Sequence, residues 1–110
     1  MQIEKVAIVI PALNEEDALR HMLPEIPPHL AEWIIVVDND SSDHTADVAR
    51  EAGAIVVSEA VRGYGRACYA GLQTALSLGA HIITFMDGDG SDDPADLPLM
   101  LPLITQGRRT

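Results

Sequence analysis

Two aspartates separated by one glycine, Asp87-Gly88-Asp89, form the most distinctive chemical motif of the sequence. Residues two positions apart in an extended chain point the same way, so these carboxylates would converge. Converging carboxylates repel each other unless a cation lies between them. A hard divalent cation accepts such oxygen ligands and keeps positions open for phosphate oxygens, and the glycine lets a ligand approach closely. The motif predicts a metal and phosphate site, although an acidic turn would use the same residues.

Two further polar segments follow apolar runs of the chain. In the run 38–43, Asp38 directly follows strand-like residues and would accept a hydrogen bond from a nucleotide base, whereas Asp43 would cap the next helix. In the segment 11–16, Glu15 would face the nucleotide. Asp and Ser also cluster in ordinary turns, and a strand-to-helix turn would account for Glu15, so each segment alone supports either interpretation.

A basic, glycine-containing loop, Arg62-Gly63-Tyr64-Gly65-Arg66, opens a predicted helix. Its backbone amides and the Arg66 guanidinium would contact a phosphate group. The alternative is an ordinary glycine-rich helix start. Cys68 is expected to be a core residue and His44 a solvated turn residue.

The composition excludes several classes of function. The net charge is −10, so phosphate groups of nucleic acids or anionic membranes would be repelled, and an anionic substrate would need a metal to bridge it. The single cysteine, Cys68, excludes an internal disulfide framework and a cysteine zinc site. No signal-peptide pattern is present, and no apolar run approaches the ~20 residues of a membrane span.

Apolar runs alternate with helical patterns along the chain. The runs 6–10, 33–37, 54–57 and 81–86 are strand-like, and most are continuously apolar, as in parallel strands covered on both faces. Predicted helices start at Asn14 as N-cap and stop at Pro24, run from 45 to 52, and run from 65 to 78. This order predicts an α/β fold, a Rossmann-like parallel sheet with helices on both faces. A broken helix is expected from Asp93 onward, because prolines recur there.

The polar segments follow strands, and ligands of open parallel sheets bind beyond the carboxyl ends of strands. The ordered set 9–16, 36–45, 62–67 and 86–91 resembles family 2 glycosyltransferases, most closely the dolichyl-phosphate mannose or glucose synthase branch. The resemblance covers nearly the whole chain. It implies the nucleotide-binding portion of a GT-A fold, inverting transfer of a hexose from a GDP- or UDP-sugar, and a requirement for Mg²⁺ or Mn²⁺.

The resemblance also implies roles for individual residues. Asp87 and Asp89 match the family's DXD motif for metal and diphosphate, and Asp89 is the residue assigned to catalysis. Gly88 and Ser91 would line the same site. The residues expected to contact the nucleoside are Pro11, Leu13, Glu15, Val36 and Asp38.

Catalytic domains of this family are about twice as long as this chain. Residues 1–110 are therefore expected to form one nucleotide-sugar-binding domain that is incomplete at its C-terminus. The first alternative is a non-catalytic module that binds nucleotide and metal. The second is an aspartyl-phosphate phosphatase with Asp87 as nucleophile and Asp89 as acid/base, which is disfavoured because the motif follows the fourth strand and Lys5 is the only lysine.

The remaining expectations concern partners and location. A polyprenyl phosphate is the expected acceptor, and nucleic acid is not an expected partner. A cytoplasmic location is expected, at the cytoplasmic face of a membrane if further C-terminal sequence provides attachment. An incomplete sheet would leave an unpaired edge and an uncovered apolar face, so homo-oligomers are predicted.

Overall fold

The computed structural model describes residues 4–89, and every structural statement below refers to that part of the chain. The strands are β1 (Val6–Ala12), β2 (Trp33–Asp38), β3 (Ile55–Ser58) and β4 (Ile82–Phe85). The helices are α1 (Glu16–Met22), α2 (Thr45–Glu51) and α3 (Tyr64–Leu78), and two short 3₁₀ helices occupy Leu23–Glu25 and Pro28–Leu30. The predicted broken helix from Asp93 and the predicted site residue Ser91 lie outside the described residues.

The four strands form one parallel sheet in the order β3-β2-β1-β4. Ala12, the last residue of β1, pairs with Asp38, the last residue of β2. On its other side β1 pairs with β4, with Val9 opposite Phe85. The chain therefore winds outward from β1 to β3 and then crosses back over the sheet through α3 to reach β4. This arrangement confirms the predicted fold class.

Alternate residues of the strands face two separate cores. Ile8, Ile10 and Val36 pack on one face against α1 and α2. Val9 and Val37 pack on the opposite face against α3. Because both faces of the central strands are covered, both side-chain sets must be apolar, which explains the continuously apolar runs in the sequence.

Helix α3 lies unusually close to the sheet at Gly71. A Cβ atom at this position would lie 2.2 Å from Val9 Cγ1 and 3.1 Å from Val37 Cγ2. Only hydrogen fits there, so the helix can settle directly onto β1 and β2. The helix ends at Gly79, whose φ of 93° is the left-handed conformation common after helix C-termini.

The start of α1 differs from the prediction. Asn14 does not act as the N-cap, since it adopts a left-handed φ of 54° and the N-cap position is Glu15. The helix ends at Met22, so Pro24 lies in the following 3₁₀ turn rather than directly at the helix end. Over residues 4–89, no helix combines the length and apolar character that crossing a lipid bilayer requires.

Candidate functional site

A cleft of about 550 Å³ opens at the carboxyl ends of β1 and β4. The chain leaves β1 toward α1 on one face of the sheet and reaches β4 from α3 on the other face. Such a switch point is where open α/β sheets bind ligands. The cleft is lined by Pro11, Ala12, Leu13, Glu15, Asn39, Gly63, Tyr64, Ala67, Asp87, Gly88 and Asp89.

The residues after β1 provide one wall of the cleft. Pro11 is buried, whereas Leu13 and Glu15 are half-buried, so this wall combines apolar surface with one carboxyl group. Burial raises the pKa of the Glu15 carboxyl above its ordinary value, and the negative charges of Asp89 and Asp43 raise it further. The contribution of Asp89 means that the carboxylates of Glu15, after β1, and Asp89, after β4, lie close enough to repel each other.

The residues after β4 provide the facing wall. Asp87 is half-buried, Gly88 is buried and Asp89 is exposed. A Cβ atom on Gly88 would lie 2.9 Å from the Pro11 carbonyl oxygen and 3.1 Å from Ala12 Cβ. The glycine thus lets the backbone after β4 approach the end of β1. The sequence suggested instead that this glycine makes room for a ligand; the space that it leaves is taken by β1.

The first turn of α3 brings Tyr64 and Cys68 to the aspartates. The Tyr64 hydroxyl donates a hydrogen bond of 3.3 Å to Asp87 Oδ1. Although Tyr64 as a residue is 61% exposed, its hydroxyl end lies beside Cys68 and Asp87. Burial of that end raises the pKa of Tyr64 to about 12, helped by a hydrogen bond with Cys68 and by the Asp87 carboxylate. Cys68 is half-buried next to the cleft rather than enclosed in the core.

The loop before α3 is held in place by the buried side chain of Asn39. Its amide nitrogen donates to the carbonyl oxygens of Glu59 and Val61, both at 2.9 Å. Its amide oxygen accepts a 2.9 Å hydrogen bond from the Gly63 N–H. No role was predicted for Asn39 or Tyr64. The available signals were an amide directly after a buried strand and an aromatic residue at the start of a glycine-flanked helix.

The loops after β1 and β2 are joined by an interloop clasp, a set of hydrogen bonds between residues 14–16 and 41–45. The Ser42 N–H donates to Asn14 Oδ1 at 2.7 Å, and the Glu15 N–H donates to Thr45 Oγ1 at 2.9 Å. The Glu16 N–H donates to an oxygen of Asp43 at 3.3 Å. The N-terminal turn of α1 is thereby capped from the other loop.

The Asp43 carboxylate accepts hydrogen bonds from the first residues of both α1 and α2. Its Oδ1 accepts a hydrogen bond from the Thr45 N–H at 2.9 Å and another from the Thr45 hydroxyl, at the first residue of α2. The N-cap position of α2 is His44, however, and not Asp43 as predicted. Burial acts to raise the pKa of the Asp43 carboxyl, but the hydrogen bonds from Thr45 and from the Glu16 amide outweigh it and the pKa is lowered. This carboxylate therefore stays ionised beside Glu15.

Four predicted site residues do not line the cleft or cannot be placed there. The Val36 side chain is fully buried in the core between β2 and the α1–α2 layer. Asp38 is half-buried at the end of β2, where its Oδ1 accepts a 3.1 Å hydrogen bond from the Ser41 N–H. Arg66 is exposed on the first turn of α3 and is not among the lining residues. Ser91 lies outside the described residues.

The donor atoms in the cleft suit a hard divalent cation. Asp87, Asp89 and Glu15 supply only oxygen. Burial is the largest cause of the raised pKa of Glu15, and the charges of Asp89 and Asp43 add a repulsion that a cation would relieve. Within residues 4–89 no group of three or more His, Cys, Asp or Glu side chains is arranged to enclose a metal. Mg²⁺ usually binds through one or two carboxylates together with substrate phosphates, and two aspartates meet that requirement.

The fold and the cleft define a Rossmann-like α/β domain with an acidic cleft at its switch point. Residues 7–110 match the family model described as glycosyl transferase family 2. The chain belongs to this family.

Sequence relatives agree with the family assignment. The chain is 41% identical over 104 residues to an uncharacterized glycosyltransferase of Mycobacterium tuberculosis, covering 94% of this chain and 45% of that protein. It is 27% identical over 122 residues to the UDP-N-acetylglucosamine–dolichyl-phosphate N-acetylglucosaminyltransferase of Methanococcus voltae, covering 94% of this chain and 49% of that enzyme. The chain thus spans less than half the length of these curated relatives.

Solved structures show the same architecture. Glucosyl-3-phosphoglycerate synthase from Mycobacterium tuberculosis, in complex with Mn²⁺, UDP and phosphoglyceric acid, superposes with a TM-score of 0.76 at 30% identity, covering 93% of this chain and 39% of that one. The same enzyme with Mg²⁺ and UDP gives a TM-score of 0.75 at 30% identity, covering 93% and 40%. This likeness confirms that the described sheet is part of a GT-A fold.

Proposed function

We propose that this chain is the donor-binding part of a metal-dependent, inverting glycosyltransferase that takes a hexose from a nucleoside-diphosphate sugar. The observation that carries the proposal is the cleft at the β1–β4 switch point, where Asp87 and Asp89 face Glu15 across a space of about 550 Å³. That volume is within the usual range for small-molecule sites. UDP and either Mn²⁺ or Mg²⁺ are present in the solved relatives, which supports this class of ligand.

Different residues of the cleft would bind the nucleoside and the diphosphate of the donor. Pro11 and Leu13 offer apolar surface to the nucleoside, and Glu15 offers an acceptor to its polar groups. Asp87 and Asp89 would hold the cation, which supplies charge neutralisation for the leaving diphosphate. Asp89, more exposed than Asp87, is the residue proposed to act at the reacting end of the donor.

Asp38, Val36, Arg66 and Ser91 have less direct proposed roles. Asp38 would contribute to nucleoside recognition from the end of β2, and Val36 would do so only by supporting that strand end from the core. The exposed guanidinium of Arg66 would reach a phosphate from the first turn of α3. The contact proposed for Ser91 follows from its place in the DXD segment.

A polyprenyl phosphate is the proposed acceptor, in keeping with the dolichyl-phosphate synthase branch. The support is the named acceptor of the Methanococcus voltae relative, which is a dolichyl phosphate. An ionised phosphate attacks without losing a proton, so such an acceptor needs no general base. A lipid acceptor would place the reaction at a membrane surface, and the cytoplasmic face is the one proposed.

Calorimetric titration of the chain with UDP and GDP, each with and without Mn²⁺, tests the donor site. We expect one nucleotide to bind and Mn²⁺ to tighten its binding. Asp89→Ala should abolish the effect of Mn²⁺ while leaving metal-free binding of the nucleotide nearly unchanged, since the carboxylate acts through the cation. Absence of heat in all four titrations would reject donor binding by this chain.

A second assay distinguishes a transferase from a module that only binds the donor. Radiolabelled hexose is offered to the chain as UDP-glucose or GDP-mannose together with a polyprenyl phosphate and Mn²⁺. Label in the organic phase indicates transfer, whereas nucleotide binding without extractable label supports the non-catalytic alternative.

We also propose that the chain self-associates. In the described part of the sheet, β3 and β4 are the edge strands, and unpaired strand edges favour pairing with another chain. Light scattering at increasing concentration measures this directly; a constant monomer mass would contradict it.

A further inference from the structure

Tyr64 connects the start of α3 to the aspartate pair after β4. Its hydroxyl donates to Asp87 Oδ1 at 3.3 Å, and both residues line the cleft. This distance is longer than the ~2.7–2.8 Å typical of hydroxyl donors, and hydrogen bonds in ligand-free sites are often long and tighten in the complex. The contact joins two segments that are 23 residues apart in sequence.

Hydrogen bonds of the preceding residue fix the backbone position of Tyr64. The preceding residue, Gly63, donates its N–H to the buried side chain of Asn39, and its carbonyl accepts the first helical bond of α3, from the Ala67 N–H at 3.0 Å. Ala67 is buried against the sheet. The first turn of α3 is therefore anchored at both ends, so the Tyr64 ring starts from a defined backbone.

An aspartate carboxylate rotates readily about its last side-chain torsion, which has broad, shallow minima. A donor that holds one oxygen restricts this rotation and fixes the direction of the other oxygen. We propose that Tyr64 is a positioning residue: by holding Oδ1 of Asp87, it presents the second carboxylate oxygen to the divalent cation and diphosphate of the donor site. This inference rests on the proposed function.

The chemical reason is general to metal sites. Residues that hydrogen-bond to a metal-ligating carboxylate orient it, and their loss typically lowers metal affinity by about 10–100-fold. The hydrogen bond from Tyr64 to Asp87 lies at the exposed surface of the cleft, where water competes for the same carboxylate oxygen. The lower end of that range therefore applies. The phenyl ring itself keeps its contacts when only the hydroxyl is removed, which makes Tyr64→Phe a narrow test.

The experiment follows free Mn²⁺ by electron paramagnetic resonance as the metal is titrated into the full 110-residue chain with saturating UDP. Tyr64→Phe should weaken Mn²⁺ binding about tenfold. Tyr69→Phe is the matched control, because Tyr69 lies on the same helix, is 60% exposed and engages Gln73 rather than the cleft. Calorimetry without metal should give equal UDP affinities for the wild type and Tyr69→Phe.

A double-mutant cycle tests whether Tyr64 acts through Asp87. In an Asp87→Ala background, which leaves no side-chain oxygen for Tyr64 to hold, Mn²⁺ binding is already weakened, and Tyr64→Phe should then have no further effect. A further tenfold loss in that background would overturn the positioning role and indicate a separate contact. Circular dichroism confirms that every variant is folded.

The outcomes separate this inference from the proposed function. If the wild type binds Mn²⁺ and UDP but Tyr64→Phe binds Mn²⁺ as tightly as the wild type, the positioning role is wrong and the donor site stands. If Tyr69→Phe loses as much affinity as Tyr64→Phe, the loss is not specific to Asp87 and the inference is also wrong. If the folded wild type binds neither metal nor nucleotide, the proposed function and this inference fail together.

Discussion

Replacing Gly71 by alanine tests whether the close approach of α3 to the sheet is essential to the fold. The new Cβ would lie 2.2 Å from Val9 Cγ1, whereas carbon atoms in contact are about 3.5–4.0 Å apart. Val9 is completely buried on the central strand β1, and Val37 crowds the same methyl position at 3.1 Å. Neither valine can move aside without disturbing the core, so the helix itself must shift.

The expected loss of stability follows from two opposing terms. Overpacking a core by one methyl group costs about 1–3 kcal/mol, and a gap short by more than ~1 Å belongs at the upper end. Alanine is a better helix former than glycine by about 1 kcal/mol. Gly71→Ala should therefore lower the free energy of unfolding by about 2 kcal/mol, which corresponds to a fall in Tm of roughly 10 °C.

Urea unfolding followed by circular dichroism measures this change. Gly65→Ala is the matched control, since the same substitution on the same helix would meet no atom within 4 Å, and it should be neutral or stabilising. Val9→Ala removes the atom that clashes, so the Val9→Ala/Gly71→Ala double variant should lose less stability than the two single changes added together. A Gly71→Ala chain as stable as the wild type would refute the packing argument.

Three further predictions concern polar groups. Thr84→Val should leave stability unchanged or raise it by up to about 1 kcal/mol in urea unfolding, because its buried hydroxyl has no hydrogen-bond partner among the described residues; a loss above that size would show a missed contact. Thr45→Val removes the acceptor of the Glu15 N–H and should cost about 1–2 kcal/mol, measured the same way, with Ser42→Ala, which keeps that acceptor, losing less. The raised pKa of Glu15 means that the folded state favours its protonated carboxyl. The stability that this protonation contributes is fully present below pH 4.5 and is lost as pH rises through the folded-state pKa. Glu15→Gln should therefore gain stability over the wild type at pH 7 but not at pH 4, and equal melting curves at pH 7 would contradict this.

The strands and the layer order were predictable because burial on both faces leaves a direct trace in sequence. The continuous apolar run of β1 is typical of a strand whose alternate residues, such as Ile8 and Val9, face different helices. The acidic edge of the sheet followed from the same logic, since parallel strands end together.

What the sequence did not reveal depends on contacts between distant segments. Asn14 is a residue type that is common at N-caps, but the Glu16 N–H donates to Asp43 on another loop. Local propensity carries no information about that partner. Gly71 resembles any glycine within a helix until Val9 is known to lie beneath it. Tyr64 meets Asp87 only because the crossover after β3 returns α3 to the side of β4.

The interloop clasp has a consequence for protein engineering in this family. Helices α1 and α2 have seven residues each, and isolated helices shorter than ~12–15 residues are only marginally stable in water. The first turn of α1 also depends on hydrogen-bond acceptors from the other loop. The two loops therefore form one structural unit, because each supplies hydrogen-bond partners to the other. A chimera that imports the segment around Asn14 from a relative while keeping the native segment around Ser42 would lose paired hydrogen-bond donors and acceptors on both sides. The two segments should therefore be exchanged together.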